Sequence, residues 1–150
     1  MTGRTYRYYQ GDVLYPFGFG LSYTEFEYQD LSLSHDRLHE AEILRVSVVV
    51  KNIGDVTGDE VVQLYLRDEE ASVPVPRHSL VGFQRVRLAP GQSTQVIFDI
   101  QPEQFACVSD DGQWMIEPGI FTLFVGGGQP GKAVGLTSRL SKVGETLVLA

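Results

Sequence analysis

Apolar residues at every second position mark the clearest predicted strands of this chain. Side chains of a strand point alternately to opposite faces, so this spacing predicts one buried face and one solvent face. The segment 44–50 shows the pattern best, and the segments 61–67 and 94–100 repeat it. In 61–67 the apolar residues Val62, Leu64 and Leu66 define the core face, which places Tyr65 on the opposite face.

Turn-forming residues separate these segments. Pro90-Gly91 predicts a tight turn, and the run 110–113 predicts a hairpin turn between two short strands. The stretch 69–78 contains Pro74 and Pro76 and predicts a loop or an irregular edge. Further strands are predicted over 81–88, over 120–125 and, more weakly, within 133–140. The chain therefore reads as about seven to nine short strands without a convincing amphipathic helix, which favours an all-β sandwich of immunoglobulin or fibronectin type III kind. A closed barrel is the alternative.

The first 24 residues differ from this pattern. They read MTGRTYRYYQGDVLYPFGFGLSYT, which is rich in Tyr, Phe and Gly and keeps no lasting period. Gly and Pro interrupt regular structure, whereas dense aromatics argue against a solvated disordered tail. We therefore predict an extended arm over 1–24 that needs a partner surface, followed by the sandwich over 25–150.

Composition narrows the function classes. The chain has 12 basic and 19 acidic residues, a net charge of −7, and no basic run, which argues against binding to nucleic acid or anionic membranes. No apolar run is long enough for a membrane helix, and the N-terminus lacks the apolar core of a signal peptide. The compartment, cytoplasmic or exported, therefore stays undetermined. The single cysteine, Cys107, allows no intrachain disulfide, and its apolar neighbours predict a buried, inert thiol.

One motif resembles a phosphate-binding loop. Gly126 to Ala133 has the spacing G-x-x-x-x-G-K and follows a predicted strand. A working loop needs Ser or Thr after the lysine and a helix that starts there, but this chain continues with Ala133-Val134-Gly135. We interpret the segment as a Gly-rich turn between two edge strands.

Acidic residues and histidines give weak signals for chemistry. A glycosidase pair could be sought among the acids beside turns, but such acids are usually solvated; they are Asp55, Asp59, Glu60, Asp110 and Asp111. A calcium site could be sought among Asp55, Asp59 and Glu60, but their spacing matches no known loop. The histidines His35, His39 and His78 lie in polar stretches that predict solvated loops or a short turn, so no metal site is expected.

Trp114 is the candidate for stacking on a sugar ring. It lies in a strand directly after a tight turn, and packing into the sandwich is the favoured interpretation. Sugar stacking is kept as the alternative.

Long ordered motifs resemble glycoside hydrolase family 3, the β-glucosidases and β-xylosidases. The segment Leu14–Thr24 is similar to a hallmark of that family, and Arg4–Tyr9 is similar to what precedes it. Matching landmarks continue to about residue 140. They are VKNIG and GDEVVQLYL in 50–66, LVGF in 80–83, LAPGQS in 88–93, Trp114, and EPGIF in 117–121.

This resemblance implies a non-catalytic C-terminal fibronectin type III-like domain that stabilises the catalytic domains of its parent and can lend a loop to the rim of the sugar pocket. The residues implied in the interdomain contact are Tyr15, Pro16, Phe17, Phe19, Leu21 and Tyr23. The family's catalytic carboxylates belong to two other domains, so no catalytic residue is assigned and no cofactor is expected. The chain is predicted inactive alone, with a parent that hydrolyses terminal β-glucosides or β-xylosides.

Two further partners stay open. Without a partner domain, the aromatic arm is predicted to be mobile, to dock back on its own sandwich, or to mediate self-association, because an exposed apolar patch favours association. A stand-alone module that binds carbohydrate or another polymer is the alternative function.

Overall fold

A computed structural model describes residues 8–149 of the chain. Residues 1–7, the first part of the predicted arm, and Ala150 lie outside the described residues. In chain order the strands are β1 (Phe26–Leu33), β2 (Arg37–Leu38), β3 (Leu44–Asn52), β4 (Gly58–Asp68), β5 (Ser79–Leu88), β6 (Ser93–Ile100), β7 (Cys107–Val108), β8 (Trp114–Ile116), β9 (Gly119–Gly126), β10 (Gly135–Lys142) and β11 (Leu147–Val148). A short 3-10 helix covers Pro102–Phe105. No helix in this range is long and apolar enough to cross a bilayer.

Two main sheets face each other. One has the order β1-β3-β6 and the other the order β2-β10-β9-β4-β5, while β11-β8-β7 forms a small third sheet. All pairings are antiparallel except the short one between β2 and β10. The predicted all-β sandwich is confirmed, and each strongly alternating segment of the sequence forms a strand.

The core lies between the inner faces of the two sheets. Every second residue of β3 is fully buried, as are Val62 and Leu64 of β4 and Leu123 and Val125 of β9. Burying a side chain of this size contributes about 1.5–3 kcal/mol, so each inward position of the alternating strands stabilises the fold.

The outer face of the larger sheet is less exposed than the alternation predicts. Tyr65 and Gln63 point away from the core, yet both are buried, and the Tyr65 hydroxyl donates to Gln63 Oε1 at 2.6 Å. The arm reaches this face, because Gly18 lies so close to Gln63 that an added Cβ would be 2.7 Å from Gln63 Nε2. The arm therefore covers part of this face.

The Gly-rich segment after β9 is a turn into β10, as predicted, and no helix starts there. The prediction that it joins two edge strands was wrong, because β9 lies between β10 and β4, and β10 pairs with the short β2 on its other side. Strand neighbours are set by pairing with segments distant in sequence, which a local pattern does not reveal.

Candidate functional site

The arm exposes a row of large apolar side chains. Leu21 and Tyr23 are 95% and 100% exposed, and Tyr15 is 74% exposed. We call the arm's large apolar side chains that are more than half exposed the apolar row, which consists of Leu14, Tyr15, Phe17, Phe19, Leu21 and Tyr23. Pro16, which the resemblance also placed at an interdomain contact, is buried.

Backbone contacts hold the arm against the Gly-rich turn. The Phe17 amide donates to Gln129 Oε1 at 3.2 Å, and the Gln129 amide donates to the Phe17 carbonyl at 2.9 Å. Lys132 Nζ donates to the Val13 carbonyl at 2.7 Å. The segment that resembles a phosphate loop therefore binds the arm's main chain, while the side chains of the apolar row remain more than half exposed.

A buried asparagine fixes the other end of the arm. Asn52 is fully buried, and its Oδ1 accepts hydrogen bonds from Thr24 Oγ1 at 2.6 Å and from the Gly54 amide at 3.0 Å. Its Nδ2 donates to the carbonyls of Val56 at 2.8 Å and Leu88 at 2.9 Å. Both acceptor and both donor positions of the amide are thus satisfied, and Thr24 is tied to the turn between β3 and β4.

A cavity of about 610 Å³ lies beneath the arm. Its walls come from the arm, from the start of β1 and from the Gly-rich turn. We call it the end pocket; it includes Phe17, Phe19, Phe26, Tyr28, Glu60 and Gly127 among its lining residues.

One hydrogen bond crosses the sandwich at this pocket. The Tyr28 hydroxyl of β1 donates to Glu60 Oε1 of β4 at 2.6 Å. Burial raises the pKa of Glu60, although the hydrogen bond from Tyr28 lowers it. Burial and then the negative charge of Glu60 raise the pKa of Tyr28. Gly127 permits this arrangement, because a Cβ at that position would collide with Glu60 Oε1.

The raised pKa of Glu60 predicts a pH-dependent stability. A carboxyl group that holds its proton more tightly when folded stabilises the protein below its ordinary pKa, and this stability is lost as the pH rises through the folded pKa. Glu60→Gln cannot titrate and still offers an acceptor to Tyr28. From about pH 4 upward, we expect wild-type stability to fall relative to Glu60→Gln, as measured by urea denaturation at successive pH values. If the free energy of unfolding of the two proteins changed with pH in the same way, the result would contradict this expectation.

The acids considered for calcium are not brought together. Asp59 forms ion pairs with Arg85 and Arg87 of β5, whereas Glu60 turns to the opposite side of β4 and meets Tyr28. Among residues 8–149, no three metal-ligating side chains form a group that could hold an ion.

The structure corrects the favoured placement of Trp114. Its side chain is 57% exposed rather than packed in the sandwich, and Val108, paired with it across the hairpin, is also exposed. The small sheet that carries Trp114 lies outside the two main sheets, so one of its faces meets solvent. Asp110 and Asp111 occupy the turn of this hairpin.

The histidines and the cysteine occupy separate places. His35 and His39 are exposed on either side of β2, and His78 is half-buried before β5 with its pKa lowered, mainly by burial. The predicted burial of Cys107 is confirmed, and burial followed by the nearby charge of Glu117 raises the pKa of its thiol to about 11.

Sequence reasoning missed the bond between Tyr28 and Glu60. Glu60 was grouped with solvated turn acids, because its neighbours in sequence include Gly58 and Asp59. Its partner lies 32 residues away on the opposite sheet, so local spacing carries no signal for this pair.

Comparison with known proteins agrees with this architecture. The fibronectin type III-like domain family matches residues 60–129. The class of protein defined by the fold is therefore a fibronectin type III-like β-sandwich.

The relatives place this domain in a particular enzyme family. The chain is 42% identical over 125 residues to thermostable β-glucosidase B of Acetivibrio thermocellus, covering 81% of this chain and 17% of that protein. It is 43% identical over 121 residues to a β-xylosidase of Formosa agariphila, covering 81% of this chain and 17% of that protein. A solved β-glucosidase from Erythrobacter marinus superimposes with a TM-score of 0.81 at 40% identity, covering 95% of this chain and 19% of that one.

This chain belongs with the fibronectin type III-like domains of glycoside hydrolase family 3 β-glucosidases and β-xylosidases. It spans less than a fifth of the length of the two curated relatives described above.

Proposed function

We propose that this chain is a non-catalytic accessory domain that braces the catalytic domains of a family 3 glycosidase acting on terminal β-glucosides or β-xylosides. The observation that carries the proposal is the apolar row, which is exposed although the arm's backbone is anchored behind it. The similarity to a short region of much longer β-glucosidases and β-xylosidases supports the choice of partner.

Energetics favour a partner over solvent for this row. Burying one large apolar side chain contributes about 1.5–3 kcal/mol, and contiguous exposed apolar surface commonly marks an interaction site. The arm is already fixed at Phe17 and Thr24, so a partner that docks there meets a surface with reduced conformational freedom.

The test is association with a catalytic region. The full chain is mixed with Acetivibrio thermocellus β-glucosidase B from which the matching region has been removed. We expect binding by calorimetry and a higher melting temperature of the catalytic region. The variant Tyr15→Ser/Leu21→Ser/Tyr23→Ser should bind at least about 100-fold more weakly, because each tenfold loss corresponds to about 1.4 kcal/mol.

Phe83→Ser is the matched control for this experiment. Phe83 is 71% exposed but lies on β5, in the larger sheet and outside the arm. It should leave the affinity unchanged. Equal binding by the triple variant and the wild type would overturn the bracing role of the arm, and a stable dimer of the chain that the triple variant dissolves would assign the row to self-association.

Carbohydrate binding at Trp114 is the second candidate, and the exposure of its ring favours it. The aromatic pair Tyr15 and Phe19 gives less support, since their rings are tilted by 50° and do not form a flat platform. Calorimetric titration with cello- and xylo-oligosaccharides separates the two candidates. Saturable heat that Trp114→Ala abolishes would support a binding module, whereas no heat at millimolar sugar would leave the bracing role.

A further inference from the structure

The end pocket holds a carboxylate whose hydrogen-bonding capacity is only partly used. Glu60 Oε1 accepts from Tyr28, and within residues 8–149 Oε2 receives no hydrogen bond and Glu60 forms no ion pair. An ionised carboxylate offers about four acceptor positions, so most of those of Glu60, which lines the pocket, remain unused by residues 8–149.

The charge of the pocket favours a cation. Among residues 8–149, Glu25, Glu27 and Glu60 line it together with a single basic residue, Lys132. Lys132 is engaged elsewhere, because its Nζ donates to the Val13 carbonyl at 2.7 Å. Three carboxylates around one ammonium group attract a positively charged guest and repel phosphates or acidic side chains.

The residues that line the end pocket indicate which type of cation fits there. Phe17, Phe19 and Phe26 line the same cavity as Glu60, so a guest in the cavity can meet both aromatic residues and the carboxylate. A guanidinium group stacks on aromatic rings and donates to a carboxylate through a planar fork, and it is more weakly hydrated than an ammonium group. A metal ion fits less well, since no group of three metal-ligating side chains occurs in the described part of the chain.

We propose that the end pocket is a socket for an arginine side chain of the catalytic domains, with Glu60 as its counter-ion and the phenylalanines of the arm and β1 as its walls. This inference rests on the proposed bracing function and names one contact through which the domains recognise each other. Arginine is enriched at the centre of protein interfaces, where a buried carboxylate partner gives specificity.

The experiment titrates the full 150-residue chain with N-acetyl-arginine amide and follows backbone amide shifts by NMR. We expect saturable shifts at the pocket residues Ser22, Gly127 and Gly128. Glu60→Gln should weaken binding at least about tenfold, because a charge-assisted hydrogen bond is replaced by a neutral one. Glu103→Gln, the control, removes the same charge from an exposed position outside the pocket and should leave the affinity unchanged.

A second measurement needs no variant. N-acetyl-citrulline amide has nearly the shape of the arginine probe but carries no charge, so it should give no saturable shifts. Equal binding of the two probes, no saturation by the arginine probe, or equal affinity in Glu60→Gln and wild type would each overturn the socket. Saturable shifts at the same amides with glucose or xylose, and none with the arginine probe, would assign the pocket to a sugar instead.

The outcome is separable from that of the bracing experiment. The probe titration uses this chain alone, so its failure removes the socket and leaves docking through the apolar row intact. Failure of the chain to bind a catalytic region would remove the bracing function even if the probe fills the pocket.

Discussion

Replacing Asn52 with alanine is expected to lower the free energy of unfolding by about 3–5 kcal/mol. The Asn52 side chain is fully buried and takes part in four hydrogen bonds, so its loss leaves several polar groups without partners inside the protein. A buried unsatisfied donor or acceptor costs about 1–3 kcal/mol, and partial relaxation of the turn keeps the total below the simple sum. Urea denaturation followed by circular dichroism measures the change.

Thr24→Val is the matched control for Asn52. It removes one of the four hydrogen bonds and keeps the shape of the side chain, so we expect a loss of about 0.5–1.5 kcal/mol. Equal losses for Thr24→Val and Asn52→Ala would show that the bonds to Gly54, Val56 and Leu88 contribute little, contrary to this account.

Replacing Phe121 with alanine is expected to cost about 3–5 kcal/mol, because it removes a large buried ring and leaves a cavity. Phe121 of β9 is 2% exposed and packs edge to face against Phe105, with ring centroids 5.2 Å apart and an interplanar angle of 88°. The same loss of stability should appear in thermal and in urea denaturation.

Phe83→Ala tests whether burial causes that effect. The substitution is chemically identical, but Phe83 is 71% exposed on β5. It should change the free energy of unfolding by less than about 1 kcal/mol, since little apolar surface returns to water. A comparable loss at both positions would contradict the assigned faces of the larger sheet.

The main chain and the side chains of the arm make different contacts. Its main chain forms hydrogen bonds with Gln129 and Lys132 of the Gly-rich turn, and the Thr24 hydroxyl donates a hydrogen bond to Asn52. Each side chain of the apolar row is more than half exposed, which makes it available to a partner, and Phe17 and Phe19 also line the end pocket. The same segment roofs the end pocket, so the proposed docking surface and the proposed arginine socket share one element.

The motif VKNIG illustrates what a pattern conveys and what it omits. Asn and Gly after a strand predict a turn, and the turn is present. The burial of Asn52 and its bond to Thr24 depend on a segment 28 residues earlier in the chain. Gly54 is required for the same reason, because a Cβ there would collide with the Thr24 hydroxyl.

The sequence by itself determined the strands, the sandwich and the family resemblance of this protein. A period of two is a local property of the chain, because the apolar or polar character of each side chain indicates the face of the strand on which it lies. The long motifs around Pro16-Phe17 and after Val50 are equally local, and comparison with known proteins confirmed the family they indicate.

The tertiary structure alone decided which strands are neighbours, which outer faces are covered and where the site lies. Tyr65 is buried by packing on a face that alternation assigns to solvent, and Trp114 is exposed because its hairpin lies outside the main sheets. The end pocket joins three regions far apart in sequence: the arm with the adjoining β1, the start of β4, and the Gly-rich turn. Such contacts depend on how the faces of different strands and loops pack together in the folded protein. The spacing of residues within one segment carries no information about that packing.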